Sequence, residues 1–214
     1  MTLDRAKKHV VFLNGPPGCG KDLVASHLVQ YLAFEKMKFA APIKRMAAAM
    51  LGISDETVER LKDTEFAILS KETKIADGAF GTERYEYGEK DTLRRLLIRI
   101  SEEFLKPTYG NTIFGRIAAK ELLRSSYPLI VFTDSGFVEE ANTVIRTVGR
   151  GNTVLIRLHR EGCDFRSDSR GYLPDIAGEN RDIENNRPIA HTAAQVAVAI
   201  RNHFKITLLK EIEL

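Results

Sequence analysis

Apolar residues are concentrated in a few short runs that predict the strands of a buried sheet. Residues 9–13 and 129–133 are short, strongly apolar runs rich in β-branched side chains, and residues 154–158 are expected to form another strand. Runs of this length and composition, bounded by turn residues, are typical of strands that are covered on both faces. Shorter strands are expected at residues 36–39 and 182–185.

Between these strands, apolar residues recur every three or four positions, which is the period of an amphipathic helix. The pattern predicts a helix that begins near residue 21 and further helices over residues 43–51, 55–69, 91–105, 113–124, 138–148 and 192–204. Pro42 and Ser54 mark helix starts, as a first-turn proline and an N-cap. Gly149 and Pro107 mark helix ends. The buried stripe expected in the 91–105 helix consists of Leu93, Leu96, Leu97, Ile100 and Phe104.

Strands that alternate with helices predict parallel pairing through right-handed crossovers, and therefore a three-layer α/β/α fold. We expect one domain over residues 1–214, because the length leaves little room for a second independent core. Residues 71–90 lack periodicity and predict a surface loop or a small hairpin. Ligands of such sheets bind at the carboxyl ends of the strands, where Gly15 and Asp134 fall.

Composition limits the classes of protein that fit this sequence. The chain has 214 residues, and no apolar run approaches the ~20 residues of a membrane helix. The first residues include an acid and lead directly into a strand, so no signal peptide is expected. Two cysteines are too few for a disulfide framework and favour a reducing cytoplasm. The net charge of +3 suits a phosphate-rich ligand, although many cytosolic proteins share it.

The candidate chemistry begins where the first predicted strand ends. The first seven positions of the phosphate-binding pattern G-x-x-x-x-G-K-[ST] are matched by Gly15-Pro16-Pro17-Gly18-Cys19-Gly20-Lys21. Glycines allow backbone N–H groups to approach phosphate oxygens, the following helix presents its positive end, and Lys21 adds a charge for the β- and γ-phosphates. A strand before the pattern and a helix after it distinguish it from an ordinary glycine-rich turn. The expected ATP-binding residues therefore run from Gly15 to Leu23.

The eighth position departs from the pattern, because Asp22 replaces the Ser or Thr whose hydroxyl holds Mg²⁺. Two roles are open to a carboxylate at this position. It binds the metal directly or through water, or its charge favours the helix N-terminus. Cys19 is interpreted as a small residue within the loop, with a redox role as the alternative. The histidines show no metal-ligand spacing.

Several segments, taken in order, resemble those of bacteriophage deoxynucleoside monophosphate kinases. They are Gly20-Lys21-Asp22, Phe39-Ala40-Ala41-Pro42-Ile43-Lys44, Leu93-Arg94-Arg95-Leu96-Leu97 and the strand that ends in Asp134. The resemblance covers about residues 9–186 and implies a P-loop NTPase fold of the nucleoside monophosphate kinase type. It also implies an acceptor-binding region near residues 40–110, a lid near residues 160–180, and the use of ATP and Mg²⁺.

The resemblance implies roles for a set of charged residues. The expected catalytic residues are Lys21, Asp134, Arg166 and Arg170. The expected acceptor-binding residues are Lys44, Arg94 and Arg95, and the expected metal ligands are Asp22 and Asp134. An acid directly after an apolar strand is where a magnesium-binding carboxylate belongs in P-loop enzymes. For the basic residues an alternative stays open, since arginines and lysines off an apolar stripe are commonly solvated surface charge.

One position departs from the family pattern. In the family, the strand-end Asp is followed two residues later by an Arg that suits the acceptor's phosphate, whereas here Gly136 follows Asp134 at that spacing. A glycine does not replace a bidentate contact between Arg and phosphate. Either another Arg binds the monophosphate, or the acceptor has no free one. The second option resembles the phage kinases that phosphorylate 5-hydroxymethyluracil within DNA, which requires a flipped base.

The first functional hypothesis is therefore a kinase that transfers a phosphoryl group from ATP to a deoxynucleoside monophosphate. The alternative is a phage DNA kinase that acts on modified DNA during thymidine hypermodification, where the Arg-rich segment over residues 160–170 would serve the DNA backbone. A third hypothesis is a nucleotide-dependent switch or ATPase, although no second apolar strand ends in an Asp-Glu pair. We expect a cytoplasmic protein, in the host cytoplasm if it is phage-encoded, with no membrane partner; a homodimer is left open.

Overall fold

The computed structural model describes residues 7–66, 72–76, 83–87, 91–166, 168 and 170–206. Contacts divide the chain into two compact units, of which one is Met1–Ala40 with Asn111–Leu214 and the other is Ala41–Gly110. Parts of the predicted loop over residues 71–90 and of the predicted lid over residues 160–180 lie outside the described residues. The expectation of one domain with an acceptor-binding region and a lid stays a prediction.

Strands and helices follow one another in the predicted order. The strands are β1 (His9–Asn14), β2 (Glu35–Met37), β3 (Glu65–Phe66), β4 (Glu72–Ala76), β5 (Glu83–Tyr87), β6 (Asp91–Thr92), β7 (Leu129–Ser135), β8 (Thr153–His159) and β9 (Glu179–Glu184). The helices are α1 (Lys21–Leu32), α2 (Ala41–Leu51), α3 (Asp55–Leu61), α4 (Leu93–Ile98), α5 (Lys106–Tyr109), α6 (Ile113–Arg124), α7 (Val138–Val148) and α8 (Ile189–Phe204). A π-helical segment spans Arg99–Leu105, and a 3₁₀ turn spans Arg150–Asn152.

The first unit contains a five-stranded sheet in the order β2-β7-β1-β8-β9, and every neighbouring pair is parallel. All six residues of β1 are buried, as a strand in the middle of such a sheet requires. On one face, Val11 and Leu13 join a single apolar cluster with residues of α1 and α8. Phe12, whose side chain points to the opposite face, stacks on Phe39 and Phe132. The predicted three-layer α/β/α fold is confirmed.

The order of the strands also places the functional edge of the sheet. From β1 the chain continues to β2 at one edge, whereas from β8 it continues to β9 at the other edge. The carboxyl ends of β1 and β8 are therefore a topological switch point, which is where ligands of open α/β sheets bind. Gly15 follows the end of β1 directly, and Asp134 lies near the end of the neighbouring strand β7.

The second unit, Ala41–Gly110, corrects one predicted helix. Ser54 is the expected N-cap, since its hydroxyl accepts a hydrogen bond from the N–H of Thr57 at 3.2 Å. The helix over residues 55–69 was expected to continue, but α3 ends at Leu61, and β3 pairs with β6 in antiparallel fashion. Strand pairing overrides a helical pattern here, as tertiary contacts often do over a few residues. Strands β4 and β5 pair antiparallel, which agrees with the small hairpin that was one of two expectations for residues 71–90.

The helix predicted over residues 91–105 is also corrected. Its first residues form β6, and its second half is the π-helical segment. Backbone hydrogen bonds between residues five apart lengthen the spacing of buried side chains along a π-helical segment. Leu105 is therefore buried, five residues after Ile100, whereas Phe104, which was expected in the buried stripe, is half exposed. Pro107 was expected to end the helix, yet the helical backbone continues through it to Tyr109, the last residue of α5.

A half-buried arginine connects the carboxyl half of β8 to its neighbour β9. Arg157 donates two hydrogen bonds to Asp182, at 3.0 and 2.7 Å, and one to Asp175 at 2.8 Å. His159 Nε2 lies 2.6 Å from the same Asp182 carboxylate. The hydrogen bonds from Arg157 are the largest of the causes that lower the pKa of Asp182 to about 2.

We expect Asp182→Asn to make the protein less sensitive to acid. The pKa of Asp182, about 2 in the folded state, lies below its ordinary value of 3.8, so the folded state binds fewer protons between those values. Stability therefore falls as the pH drops through that window. Because the side chain is 53% exposed, solvent limits the effect to less than about 1 kcal/mol. Urea unfolding at pH 5 and pH 3 measures it, and an unchanged pH dependence in the variant would contradict the expectation.

Candidate active site

The phosphate loop predicted from the sequence lies between the end of β1 and the start of α1. Gly15 has no room for a side chain, because a Cβ there would lie 2.6 Å from the Leu158 carbonyl oxygen and 2.7 Å from Cys19 Sγ. Gly20 caps α1 with a φ of 97°, in the left-handed region that favours glycine. The loop is thus packed closely against the end of β8, and its two outer glycines are required by space and by backbone conformation.

The amino end of α1 is open to an anion. Gly20 provides no side-chain cap, and its carbonyl oxygen accepts from the N–H groups of Leu23 and Val24 at 3.1 and 3.0 Å. The N–H groups of Lys21 and Asp22 precede these first intrahelical bonds. Those groups and the helix dipole form the kind of site that binds phosphate. Leu23, the last residue of the predicted ATP-binding run, is more than half exposed within the first turn.

Lys21 folds back onto the loop that precedes it. Its ammonium donates hydrogen bonds to the carbonyl oxygens of Gly15 at 2.6 Å and Pro16 at 2.7 Å, and it lies 3.6 Å from Cys19 Sγ. Burial lowers the pKa of Lys21. Burial also raises the pKa of Cys19, so its thiol is protonated at neutral pH. The ammonium is thus held beside the loop by neutral carbonyl groups, for which a charged phosphate oxygen would be a stronger acceptor.

Asn185, which has no role in the sequence-based prediction, supports the loop from behind. Its Nδ2 donates to the Cys19 carbonyl oxygen at 2.7 Å, and its Oδ1 accepts from the Thr192 hydroxyl at 2.6 Å. The side chain is buried, and a Cβ on Gly20 would collide with it. Asn185 therefore fixes the loop to the end of β9 and to α8. Only its position as the last residue of a predicted strand could have indicated it.

Asp22 forms ion pairs with two lysines that sequence reasoning did not single out. Its Oδ1 lies 2.6 Å from Lys36 Nζ and 3.5 Å from Lys38 Nζ. Burial acts to raise the pKa of Asp22, but the hydrogen bonds and charges of these lysines outweigh it, so the pKa is lowered. Asp22 is therefore ionised, as either of its two predicted roles requires.

Asp134 joins two strand ends through its carboxylate. Oδ1 accepts from the N–H of Phe39 and Oδ2 from the N–H of Ala40, both at 2.9 Å. These bonds fix the residues that follow β2 beside the end of β7. The structure thus gives Asp134 a structural part in addition to the predicted catalytic one.

Asp22 and Asp134 are the carboxylates predicted to hold Mg²⁺. Among the described residues, no group of three or more His, Cys, Asp and Glu could hold a metal ion by itself. Mg²⁺ commonly binds through one or two carboxylates, several waters and substrate phosphates, so a pair of acids fits this metal. Both carboxylates keep lone pairs beyond the bonds described above. Their role as ligands stays a prediction.

Asn14 attaches a distant segment to the end of the central strand. Its side chain is fully buried, and its Nδ2 donates to the carbonyl oxygens of Ser135 at 2.8 Å and Gly171 at 2.9 Å. Its Oδ1 accepts from the N–H of Leu173 at 2.9 Å. One amide therefore holds residues 171–173 against the carboxyl ends of β1 and β7.

The two arginines predicted to close over the phosphates differ in their surroundings. Arg166 is 90% exposed and pairs with Asp164, two residues earlier, at 2.5 Å. Arg170 is only 27% exposed and pairs at 2.5 Å with Asp168, whose side chain is 11% exposed. Its side chain lies directly over Gly136, where a Cβ would be 2.6 Å from Arg170 Cβ. Arg170 is thus a fixed residue next to the position where the sequence lacks the expected arginine.

The predicted acceptor-binding residues all lie in the second unit, and each has a carboxylate partner there. Lys44 pairs with Glu59, and Arg94 pairs with Asp63 at 2.6 Å. Arg95 lies 3.2 Å from Asp91, which also pairs with Arg99. Asp91 is buried, and sequence reasoning did not identify it. The side chain of Arg95 is the most exposed of the three predicted residues.

These features define the class of protein. A parallel sheet, a phosphate loop at the end of its central strand and a buried Lys21 are the features of the P-loop NTPase fold. Within the described residues, no helix is long and apolar enough to cross a membrane.

Comparison with known proteins gives a relative named "Putative deoxynucleotide monophosphate kinase", from Acanthamoeba polyphaga mimivirus. It is 26% identical over 199 residues, which cover 90% of this chain and 96% of the relative. A gluconokinase structure from Sinorhizobium meliloti 1021 is 11% identical, with a TM-score of 0.44 and coverage of 92% of this chain and 94% of its own. A "putative kinase" structure from Chloroflexus aurantiacus is 13% identical, with a TM-score of 0.48 and coverage of 92% and 98%. No family model matches the sequence.

Proposed function

We propose that the chain transfers the γ-phosphoryl group of ATP to a deoxynucleoside monophosphate. The observation that carries the proposal is the phosphate loop, with its buried Lys21 and an uncapped helix start, at the switch point of the sheet. The mimivirus relative, which matches over 90% of the chain, supports a deoxynucleotide as the acceptor.

In this proposal the protein positions the reactants and neutralises charge, which is most of what phosphoryl transfer requires. Lys21 leaves the carbonyl groups of Gly15 and Pro16 and binds the β- and γ-phosphates. The first N–H groups of α1 bind the same phosphates. Asp22 and Asp134 would hold Mg²⁺, which would supply positive charge to the phosphates. Each interaction strengthens as negative charge develops on the transferred group.

The acceptor is proposed to bind through basic residues of the second unit. Lys44, Arg94 and Arg95 are held in place by carboxylates of the same unit. An acceptor phosphate would compete with those carboxylates for the cations, and a guanidinium binds phosphate and carboxylate with the same two-pronged geometry. The pairs described here would thus be exchanged for contacts to the acceptor.

An acceptor screen tests the proposed function. Purified protein is incubated with labelled ATP, Mg²⁺ and one acceptor at a time: the four common deoxynucleoside monophosphates, 5-hydroxymethyl-dUMP, plain duplex DNA, and duplex DNA containing 5-hydroxymethyluracil. We expect label in at least one free monophosphate, with turnover on the order of 1–100 s⁻¹, the usual range for kinases. Thin-layer chromatography separates the labelled diphosphate from ATP and inorganic phosphate.

The same screen distinguishes the other hypotheses. Label found only in the modified duplex would reject the monophosphate kinase in favour of a DNA kinase. Release of inorganic phosphate at the same rate with and without every acceptor would indicate a switch or an ATPase. Omission of Mg²⁺ serves as the control, since transfer is expected to be lost without it.

A further inference from the structure

Gly136 leaves a space that the side chain of Arg170 fills. A Cβ at Gly136 would have three nearest neighbours, the Cβ, Cγ and Cδ atoms of Arg170, at 2.6 to 2.7 Å. Contacts this short do not occur between real carbon atoms, so any side chain at position 136 would have to displace the arginine stem. Glycine at this position is thus explained by the arginine that packs on it.

The guanidinium of Arg170 has a fixed direction as well as a fixed stem. Its Nε donates to Asp168 Oδ1 at 2.8 Å, and a terminal nitrogen donates to Asp168 Oδ2 at 2.5 Å. Asp168 is 11% exposed, and its Oδ1 also accepts from the Arg170 N–H at 3.0 Å. The residues that follow Arg170 are bound to Asn14 through Gly171 and Leu173. Arg170 is therefore held on both sides along the chain.

The charges around Arg170 are those of the phosphate site. The charge of Arg170 contributes to the lowered pKa of Lys21, after burial, which is the main cause. The hydrogen bond that Arg170 donates to Asp168 is the main cause of the raised pKa of Arg170, and the charges of Asp168, Asp134 and Glu140 add to it. Two cations are thus near each other at the carboxyl edge of the sheet, where an anion between them would relieve their repulsion.

We propose that Arg170 is a permanently placed anion-binding residue, which Gly136 admits and Asp168 orients, and which binds the phosphate chain of the substrate together with Lys21. The inference deepens the proposed function on which it rests. It differs from the expectation of a lid arginine, because Arg170 is held by Gly136, by Asp168 and by the neighbouring residues that Asn14 binds. Gly136 and Asp168 are positioning residues in this proposal, and position 136 has to remain glycine.

Binding of inorganic pyrophosphate, measured by calorimetry, tests the role of the guanidinium. Arg170→Met keeps the aliphatic stem and removes the charge, and we expect it to weaken pyrophosphate binding about tenfold or more. Arg181→Met is the matched control, because Arg181 also pairs with an acid two residues earlier, Glu179, but on β9. The control should bind as the parent chain does. Equal affinity in the Arg170→Met variant, or no pyrophosphate binding by the parent chain, would overturn the proposal.

A double-mutant cycle tests the part played by Gly136. Gly136→Ala alone should weaken pyrophosphate binding and lower the melting temperature, since the new Cβ displaces the Arg170 stem. In an Arg170→Gly background the stem is absent, and Gly136→Ala should then change neither quantity further. Additive effects of the two substitutions would reject the proposed packing role. If Gly136→Ala does not fold alone but folds in the Arg170→Gly background, that rescue supports the same conclusion.

Failure of this inference and failure of the proposed function give different results. A protein that phosphorylates none of the monophosphates, yet loses pyrophosphate affinity in Arg170→Met, would retain the anion site without the proposed acceptor. A protein that phosphorylates a monophosphate equally well with Arg170→Met and Gly136→Ala would be the proposed kinase without this site.

Discussion

Lys21→Ala is expected to reduce phosphoryl transfer about 10²- to 10³-fold, the loss seen when one charged or hydrogen-bonding stabiliser of a transition state is removed. The ammonium of Lys21 is buried next to the loop carbonyl groups. A water molecule that entered the space left by the substitution would not supply the lost positive charge. The measurement is the turnover number at saturating ATP, Mg²⁺ and the best acceptor from the screen. The affinity for ATP should fall as well, because Lys21 binds the ground-state phosphates too.

The matched control is Lys120→Ala, which removes an exposed lysine on α6, far along the chain from the loop. It should leave turnover unchanged. Circular dichroism and thermal unfolding confirm that Lys21→Ala is folded, since the loop keeps its contacts to Asn185 and β8. A Lys21→Ala variant that retains more than about a tenth of the turnover would contradict the phosphate-loop assignment.

Asn14→Ala is expected to have the largest effect on stability, about 3 to 5 kcal/mol in the free energy of unfolding. The side chain makes three hydrogen bonds to backbone groups, at 2.8, 2.9 and 2.9 Å, of which those to Ser135 and Leu173 are buried, and its loss removes this partner from all three groups. Each unsatisfied buried group costs about 1–3 kcal/mol, and local relaxation recovers part of the sum. Urea unfolding monitored by circular dichroism measures the change.

The same substitution should also weaken pyrophosphate binding, because Asn14 fixes the segment that follows Arg170. Asn202→Ala, an exposed change on α8, is the control and should stay within about 0.5 kcal/mol of the parent chain. A loss of less than about 1 kcal/mol in Asn14→Ala would show that the segment is held mainly by other contacts, such as the buried Leu173.

The central part of the fold could be predicted from the sequence because its signals are local. An apolar run, a glycine-rich turn and a helical repeat follow one another at β1, the loop and α1, and hydrophobic periodicity detects each of them. The second unit was harder to predict, since the π-helical segment adds a residue to the repeat. Ile100 and Leu105 lie five residues apart, a spacing that an α-helical pattern does not contain.

Only part of the candidate site could be predicted from the sequence, because several of its contacts are not local. Lys21 and Asp134 have recognisable positions after strands, whereas Asn14 and Asn185 act through partners more than a hundred residues away. Nothing in their local sequence differs from that of an ordinary strand-end asparagine. Arg170 and Gly136 are in contact only in the folded protein. In the sequence, Gly136 occupies the position where the family has an arginine, and Arg170 lies in a distant, aperiodic segment.

The lysines that pair with Asp22 also affect whether an edge of the sheet can pair with a strand of another molecule. Strand β2 is an outer strand of only three residues, and Lys36 lies within it while Lys38 follows it directly. Short outer strands that carry lysine resist pairing with the strand of another molecule. At the opposite edge of the sheet, strand β9 carries Glu179, Arg181 and Asp182, so both edge strands carry charged residues. The lysines that pair with Asp22 therefore also limit aggregation by strand addition.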